Sequence, residues 1–262
     1  MDLGTVVLTG AAGRVGSALR PRLRESVRRL VLVDRAPLRA ETPAEEARQA
    51  DLDGPAAVAA VIEGADAVVH LAGVPDEAPL DELLTGNVLG THHVLEAARR
   101  TGVRRVVLAS SNRLTGGYPM SETVGPHAPP RPDGLYGVSK AAVEALGRLY
   151  ADKFGLDVVC LRIGSFEAEP TSERELATWL SPRDCAGFVQ AALTVPAPGF
   201  LAAYAVSANT RRFWELSDGL GYRPRDDAEA YADRFPDAAA YFAADRPQGD
   251  AYAAPEFTLP YL

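Results

Sequence analysis

Tyr136 and Lys140 stand four residues apart in "RPDGLYGVSK" (131–140), and Lys140 is one of two lysines in the 262-residue chain, the other being Lys153. At i and i+4 of a helix, the two side chains lie one above the other on a single face. An ordinary phenol has a pKa of about 10. Use as a base near neutrality requires a fall of roughly 2–3 units, about 3–4 kcal/mol in favour of the phenolate. A neighbouring cation supplies stabilisation of that kind. Upstream, "ASSN" (109–112) ends an apolar run and offers Ser111, whose hydroxyl can hold a substrate oxygen while its proton moves. Surface Tyr–Lys pairs are common, so the weight of this one rests on what surrounds it.

The first surrounding feature is a glycine loop. "VVLTGAAGRVGSALRPRL" puts Gly10, Gly13 and Gly16 between an apolar strand and a helical pattern, with Arg14 and Val15 between the last two glycines. A tight turn, a close backbone approach and unobstructed helix packing let a pyrophosphate sit on the helix N-terminus. Asp34 closes the next apolar run about 20 residues on, where an acid takes ribose hydroxyls and repels a 2′-phosphate. That favours NAD over NADP, although Arg35 beside it is a group that can accommodate the phosphate. Asp51 and Leu52 in "QADLDG" fall where such folds contact adenine, with a solvated loop acid as the alternative for Asp51. The small residues of "HLAGV", Leu71, Ala72, Gly73 and Val74 after His70, suit a dinucleotide passing close by. Beside a nicotinamide, the Tyr–Lys–Ser trio implies hydride transfer from a carbinol carbon.

Short β-branched runs at 5–9, 29–34, 66–71, 105–110, 157–163 and 201–207 read as strands, nearly continuous in apolar residues and so covered on both faces. Helical patterns over 80–102 and 136–155 lie between them, the second stopping at Gly155. This alternation predicts an α/β, Rossmann-type, doubly wound parallel sheet over 1–262, with residues 165–262 supplying a small C-terminal extension on the substrate side. The segment from about 208 is rich in Ala, Asp, Pro and Tyr, with one helix expected near 227–235.

A net charge of −8, with arginines scattered among acids, argues against sequence-independent binding to nucleic acid or anionic lipid. The start of the chain shows no basic and apolar leader pattern, and "VQAALTVPAPGFLAAYAVSA" is broken by Pro196, Pro198 and Gly199, so neither a signal nor a membrane span is read. A soluble cytoplasmic protein is expected. Cys160 and Cys185 make neither a disulfide framework nor a metal site. His70, His92, His93 and His127 lack partners at metal-ligand spacing and read as structural, so no metal is expected.

"TGAAGRVG", "NVLGTHHVLEAAR", "ASSN" and "YGVSK" resemble the extended branch of the short-chain dehydrogenase/reductase superfamily, which also holds sugar-nucleotide epimerases and dehydratases. "ASSN", "RPDGLYGVSK", "RIGS" and "TWLSPRD" are similar, over nearly the whole chain, to the NAD-dependent uronate dehydrogenases. That family oxidises C1 of D-glucuronate and D-galacturonate to an aldarolactone. The resemblance implies Tyr136 as proton acceptor, Lys140 on the ribose, and Ser111, Asn112 and Ser165 on sugar hydroxyls or the carboxylate. Gly13 to Val15, Asp34, Asp51, Leu52, the "LAGV" turn, Lys140, Ile163 and Phe166 would line the NAD site. Arg174 would meet the uronate carboxylate as a two-pronged donor; a solvated helix arginine is the alternative.

The chain departs from that family at two positions. Arg113 stands where a histidine is common, adding charge that suits a carboxylate. Pro75 replaces a small polar residue, removing a backbone donor and a hydroxyl contact. An epimerase or reductase acting on another sugar, and a non-catalytic NAD-sensing module, are the competing readings. Helices 80–102 and 136–155 would pair across a two-fold axis in a homo-oligomer.

Overall fold

The computed structural model describes residues 3–216 and 218–262. Among them, seven strands form one parallel sheet: β1 (Thr5–Thr9), β2 (Arg29–Asp34), β3 (Glu45–Gln49), β4 (Ala67–His70), β5 (Arg105–Ser111), β6 (Asp157–Ile163) and β9 (Phe200–Ala205), in the order β3-β2-β1-β4-β5-β6-β9. A two-stranded pair, β7 (Ser165–Phe166) and β8 (Trp179–Leu180), lies beyond the end of β6. The strand order reverses at β1, with β2 on one side and β4 on the other. In a doubly wound sheet the crevice at that reversal, outside the strand C-termini, is where ligands bind.

Alternate residues along each strand feed two cores. Val6, Leu8, Leu30, Leu32, Val107 and Leu161 pack against Leu19 and Leu23 of α1 (Arg14–Arg24) and Phe188 and Val189 of α7 (Pro182–Thr194). Val7, Val31, Val68, Val106, Leu108 and Val158 face the other way. There they meet Val58 of α2 (Pro55–Ile62), Val94 and Leu95 of α4 (Gly90–Thr101), and Val143 and Tyr150 of α5 (Leu135–Phe154). Each buried aliphatic side chain contributes roughly 1.5–3 kcal/mol. Helix α5 ends as expected at Gly155, in the left-handed region at φ 70°.

Three details differ from the sequence expectations. Strand β3, "EEARQ", lacks the apolar run that marks a strand; it pairs with β2 at the sheet edge, and its inward Glu45 is forked by Arg20 of α1 at 2.9 and 2.8 Å. The pattern over 80–102 is not one α-helix. It comprises α3 (Leu80–Leu83), a π-helical turn (Leu84–Leu89) and then α4. The helix expected near 227–235 is a 3-10 helix over Ala228–Arg234.

The C-terminal segment holds to α7 and to the loop before α5 through polar anchors. Buried Asp184 of α7 accepts from Tyr222 Oη (2.9 Å), Ser207 Oγ (2.7 Å) and the amides of Arg225 (2.9 Å) and Asp226 (3.0 Å). Buried Gln248 accepts from Trp214 Nε1 at 2.9 Å and donates to the carbonyls of Pro119 (3.1 Å) and Glu122 (2.8 Å). Among the described residues no helix is long and apolar enough to cross a membrane. Both cysteines are buried thiols; burial pushes Cys160 far up and Cys185 to about 12.

Candidate active site

The β1–α1 loop is built for close approach. Gly10 has φ +69°, and a Cβ there would fall 2.7 Å from the Ala72 amide nitrogen, so only glycine lets the ends of β1 and β4 touch. A Cβ on Gly16 would overlap the Gly10 carbonyl oxygen, and one on Gly13 would lie 3.2 Å from it. Asp34, at the end of β2, accepts from the Ala12 amide in this loop (2.9 Å) and from the Ala36 amide (3.0 Å), so its carboxylate is aimed before any ligand arrives. Val15 is half-buried, and exposed Arg14 forms an ion pair with Glu167. The Asp51 carboxylate accepts from the Leu52 amide at 2.8 Å. His93 steadies the same loop, its Nδ1 lying 2.8 Å from the Leu52 carbonyl oxygen and 2.9 Å from the Gly54 nitrogen.

Beyond β4, Leu71, Ala72, Gly73 and Val74 turn over this loop. Asn87, buried in the π-helical turn, accepts from the Val74 amide (2.8 Å) and donates to Ser139 Oγ (3.0 Å). Ser139 in turn donates to the Tyr136 carbonyl at 2.8 Å. A side chain at Gly73 would collide with the Asn87 carbonyl oxygen, and its φ of +151° also favours glycine. Asn87 therefore ties the 71–74 turn to α5. Sequence reading passed over it as part of "NVLG"; its signal was an amide facing inward on an otherwise apolar helix face.

Tyr136 and Lys140 lie on the first two turns of α5, both buried. Lys140 Nζ donates to the Ala109 carbonyl at 3.0 Å and stands 5.5 Å from the centre of the Tyr136 ring. Burial raises the Tyr136 phenol to about 12, while the Ser111 hydroxyl and the Arg113 charge oppose that rise. Burial lowers Lys140 to about 8, leaving it largely ammonium at neutral pH. Ser111 caps the 3-10 turn Asn112–Thr115, its Oγ accepting from the Arg113 amide at 3.2 Å and donating to Asn112 Oδ1 at 3.3 Å. His70 is buried and pairs with Thr9 Oγ1 at 2.8 Å; burial and then the Lys140 charge press it down to about 3, so it stays neutral.

Glu77 explains the glycine before the tyrosine. Its carboxylate accepts from the Leu135 amide (2.8 Å), the Tyr136 amide (3.1 Å) and Thr258 Oγ1 (3.0 Å), capping α5 from another part of the chain. A Cβ on Gly134 would lie 2.6 Å from that carboxylate.

Arg113 and Arg174 meet different surroundings. Arg113 donates through Nε to Asp133 (2.6 Å), Nη1 to Asp76 (3.1 Å) and Nη2 to Glu77 (3.4 Å), and lies 4.2 Å from the Tyr252 ring centre and 5.2 Å from that of Phe257. Its charge is already answered by carboxylates. Buried Arg174 donates through Nε to the Gln248 carbonyl (2.9 Å) and through Nη1 to Ser165 Oγ (3.4 Å). Among the described residues no carboxylate lies within ion-pair distance of it. Tyr252 stands between the two cations, 5.3 Å from Arg174. Ser165 also shares a 2.7 Å hydrogen bond with Thr178 Oγ1. Phe166 is buried, Ile163 half-buried and Pro75 exposed, next to the Asp76 that binds Arg113.

The geometry thus joins Ser111, Asn112, Arg113, Tyr136 and Lys140 in one cluster, with Ser165 paired to Arg174 beside Tyr252. Three groups that sequence reading missed, Asn87, Glu77 and Asp133, hold it together.

Comparison with known proteins gives consistent matches. The model of the NAD dependent epimerase/dehydratase family matches residues 6–189. A uronate dehydrogenase of Agrobacterium fabrum is 43% identical over 228 residues, covering 86% of this chain and 86% of that protein. One of Pseudomonas syringae pv. tomato is 40% identical over 232 residues, covering 86% and 83%. The crystal structure of uronate dehydrogenase from Agrobacterium tumefaciens superimposes with a TM-score of 0.88 at 38% identity, covering 98% of this chain and 99% of that one. A tyrosine-to-alanine mutant of that enzyme, complexed with NAD, gives a TM-score of 0.87 at 38% identity, covering 98% and 100%.

Proposed function

The chain belongs to the NAD-dependent epimerase/dehydratase family, and we propose that it oxidises C1 of a hexuronic acid, D-glucuronate or D-galacturonate, to the aldarolactone with NAD as acceptor. The observation that carries this reading is Arg174, a buried guanidinium held by a carbonyl and a hydroxyl rather than by an acid. A buried cation without an ion-pair partner favours an anionic ligand group. Asp76, Glu77 and Asp133 pair directly with Arg113, whereas Asp133 reaches Arg174 only through space, so Arg174 with Ser165 is the cation left to receive a uronate carboxylate. The likeness to uronate dehydrogenases supports the same substrate class.

The glycine cradle fits a pyrophosphate, since a side chain on Gly10, Gly13 or Gly16 would fill it. Arg14 and Val15 would flank that pyrophosphate, Asp34 would take the adenosine ribose, and Asp51 with Leu52 would meet the adenine. Leu71 to Val74, Ile163 and Phe166 would line the rest of the NAD site. When bound, the oxidised nicotinamide supplies a two-electron acceptor for the C1 hydride.

The remaining work falls to the chain itself. Tyr136 takes the C1 hydroxyl proton as the C1–H bond breaks, so the carbinol becomes the lactone carbonyl and two electrons leave with the hydride. Ser111 orients that hydroxyl and Asn112 holds a ring hydroxyl. The Lys140 ammonium, 5.5 Å from the centre of the Tyr136 ring, would bind the nicotinamide ribose, while the Ser111 hydroxyl and the Arg113 charge favour the phenolate against the pull of burial. Arg113 and Pro75 border the sugar and bear on which C4 epimer is preferred. Residues 165–262 provide this substrate side.

The test is NADH formation when protein and NAD meet glucuronate, galacturonate or glucose separately. Turnover with the uronates and none with glucose is expected. NADH from glucose alone, or nucleotide-sugar interconversion without net NADH, would overturn the reading.

A further inference from the structure

One row behind Ser111, the sheet carries a line of buried polar side chains that the chemistry above leaves unused. Ser110 on β5 is in register with Arg162 on β6, and Arg162 with Tyr204 on β9. The three are 3%, 4% and 0% exposed, a depth at which polar groups are kept only with partners. Strand alternation turns them to the face that α5 covers, while Ser111 and Ile163 occupy the next row towards the crevice. Glu144 descends into this row from α5, one turn after Lys140 and two after Tyr136.

The bonds form a circuit. Ser110 Oγ donates to Glu144 Oε1 at 2.6 Å, and Arg162 forks the same carboxylate at 3.0 and 2.9 Å. The Arg162 guanidinium lies 5.1 Å from the Tyr204 ring centre. Tyr204 Oη is 2.8 Å from Thr115 Oγ1, which donates to the Asn112 carbonyl at 3.2 Å. The path leaves the chain at Ser110 and rejoins it at Asn112, enclosing Ser111. A buried ion pair stabilises a fold little more than apolar residues of equal volume. Arg162 also leaves Nη1 without a partner, so packing alone does not account for the circuit.

We infer that Glu144, Arg162, Tyr204 and Thr115, together with Ser110, are positioning residues that set α5 against the ends of β5 and β6, fixing the Ser111–Asn112 turn relative to the Tyr136 phenol. The inference rests on the proposed function in taking Tyr136 and Ser111 as the groups that meet the substrate. A misplacement of about 1 Å costs up to about a hundredfold in rate, so losing one link of the circuit is expected to cost roughly tenfold.

The experiment compares Tyr204→Phe, Thr115→Val, their double variant, Thr115→Ser and Ser110→Ala with wild type, using Tyr136→Phe as a control. Readouts are kcat and KM with glucuronate, NAD affinity by fluorescence titration, and melting temperature. Tyr204→Phe and Thr115→Val should each lower kcat roughly tenfold or more with NAD affinity unchanged, and the double variant should be no worse than Thr115→Val, which already removes both the Tyr204 and the Asn112 bonds. Thr115→Ser keeps the hydroxyl and should recover most of the rate. The inference is overturned by wild-type kcat in Tyr204→Phe, Thr115→Val and Ser110→Ala, or by Thr115→Ser failing as badly as Thr115→Val. Either result with an inactive Tyr136→Phe removes the circuit and leaves the proposed function standing. An active Tyr136→Phe overturns both.

Discussion

Tyr136 and Arg174 divide the proposed chemistry between rate and binding, and substitution should separate them. Tyr136→Phe removes the proton acceptor and should lower kcat about 10²–10⁴-fold with NAD affinity retained, measured by stopped-flow NADH formation and fluorescence titration. Arg174→Gln removes a charge-assisted contact worth about 1.5–3 kcal/mol, so KM for the uronate should rise roughly 10–100-fold while kcat changes less. Lys140 makes a pH prediction. Its folded pKa of about 8 lies below the ordinary lysine value of 10.5, because burial disfavours the charge. The unfolded chain therefore binds more protons there between those two values, and this residue's contribution to stability rises as pH increases through that window. Urea titrations should show wild type gaining on Lys140→Met between pH 7 and pH 9.5; an unchanged gap would contradict a depressed lysine. The Tyr–Lys–Ser trio was legible from spacing because local helix geometry sets two of its members. The partners of Arg113 were not, since Asp76 and Glu77 come from one loop and Asp133 from another, and the two meet only after folding.

Elements were legible wherever the apolar pattern alone dictated them. Strands β1, β2 and β6 match their apolar runs, being covered on both faces, and α5 begins one residue before and ends one before its expected bounds. Strand β3 escaped because its inward position is a glutamate. The Arg20 fork holds Glu45 down to about 2, against the pull of burial. A carboxyl depressed in the fold contributes stability that is complete above its ordinary pKa of about 4.5 and is lost as pH falls towards 2. Glu45→Gln should therefore destabilise the protein by about 2–3 kcal/mol at pH 7, and by less with each step down through that window. Chemical denaturation at pH 7, 4 and 3 measures the difference; an equal loss at all three would rule out the ion pair as its cause.

The whole molecule depends on joining an extension of low apolar periodicity to a regular sheet, and the sequence was least informative there. The course of the chain after residue 208 is fixed at anchors such as Asp184, which holds Tyr222, Arg225 and Asp226, and Gln248, which holds Trp214, rather than by apolar periodicity. Asp184→Asn turns an amide NH₂ towards donors that now reach a carboxylate, at a cost of about 2–3 kcal/mol. For a chain of this size that lowers the melting temperature by roughly 5–10 °C, and hydrogen exchange should quicken at residues 222–226. Chain length is constrained as well as composition. The π-helical turn at Leu84–Leu89 holds one residue more than a regular turn, and that surplus aims Asn87 at both Val74 and Ser139. Deleting a single residue there would restore ideal helix geometry yet rotate everything before it by about 100°. Descendants of this gene can therefore exchange the exposed side chains along that helix, such as Leu80, Leu84 and Leu89, but can neither lose Asn87 nor shorten the helix by one, so a reading-frame-preserving deletion would be purged where most surface changes survive.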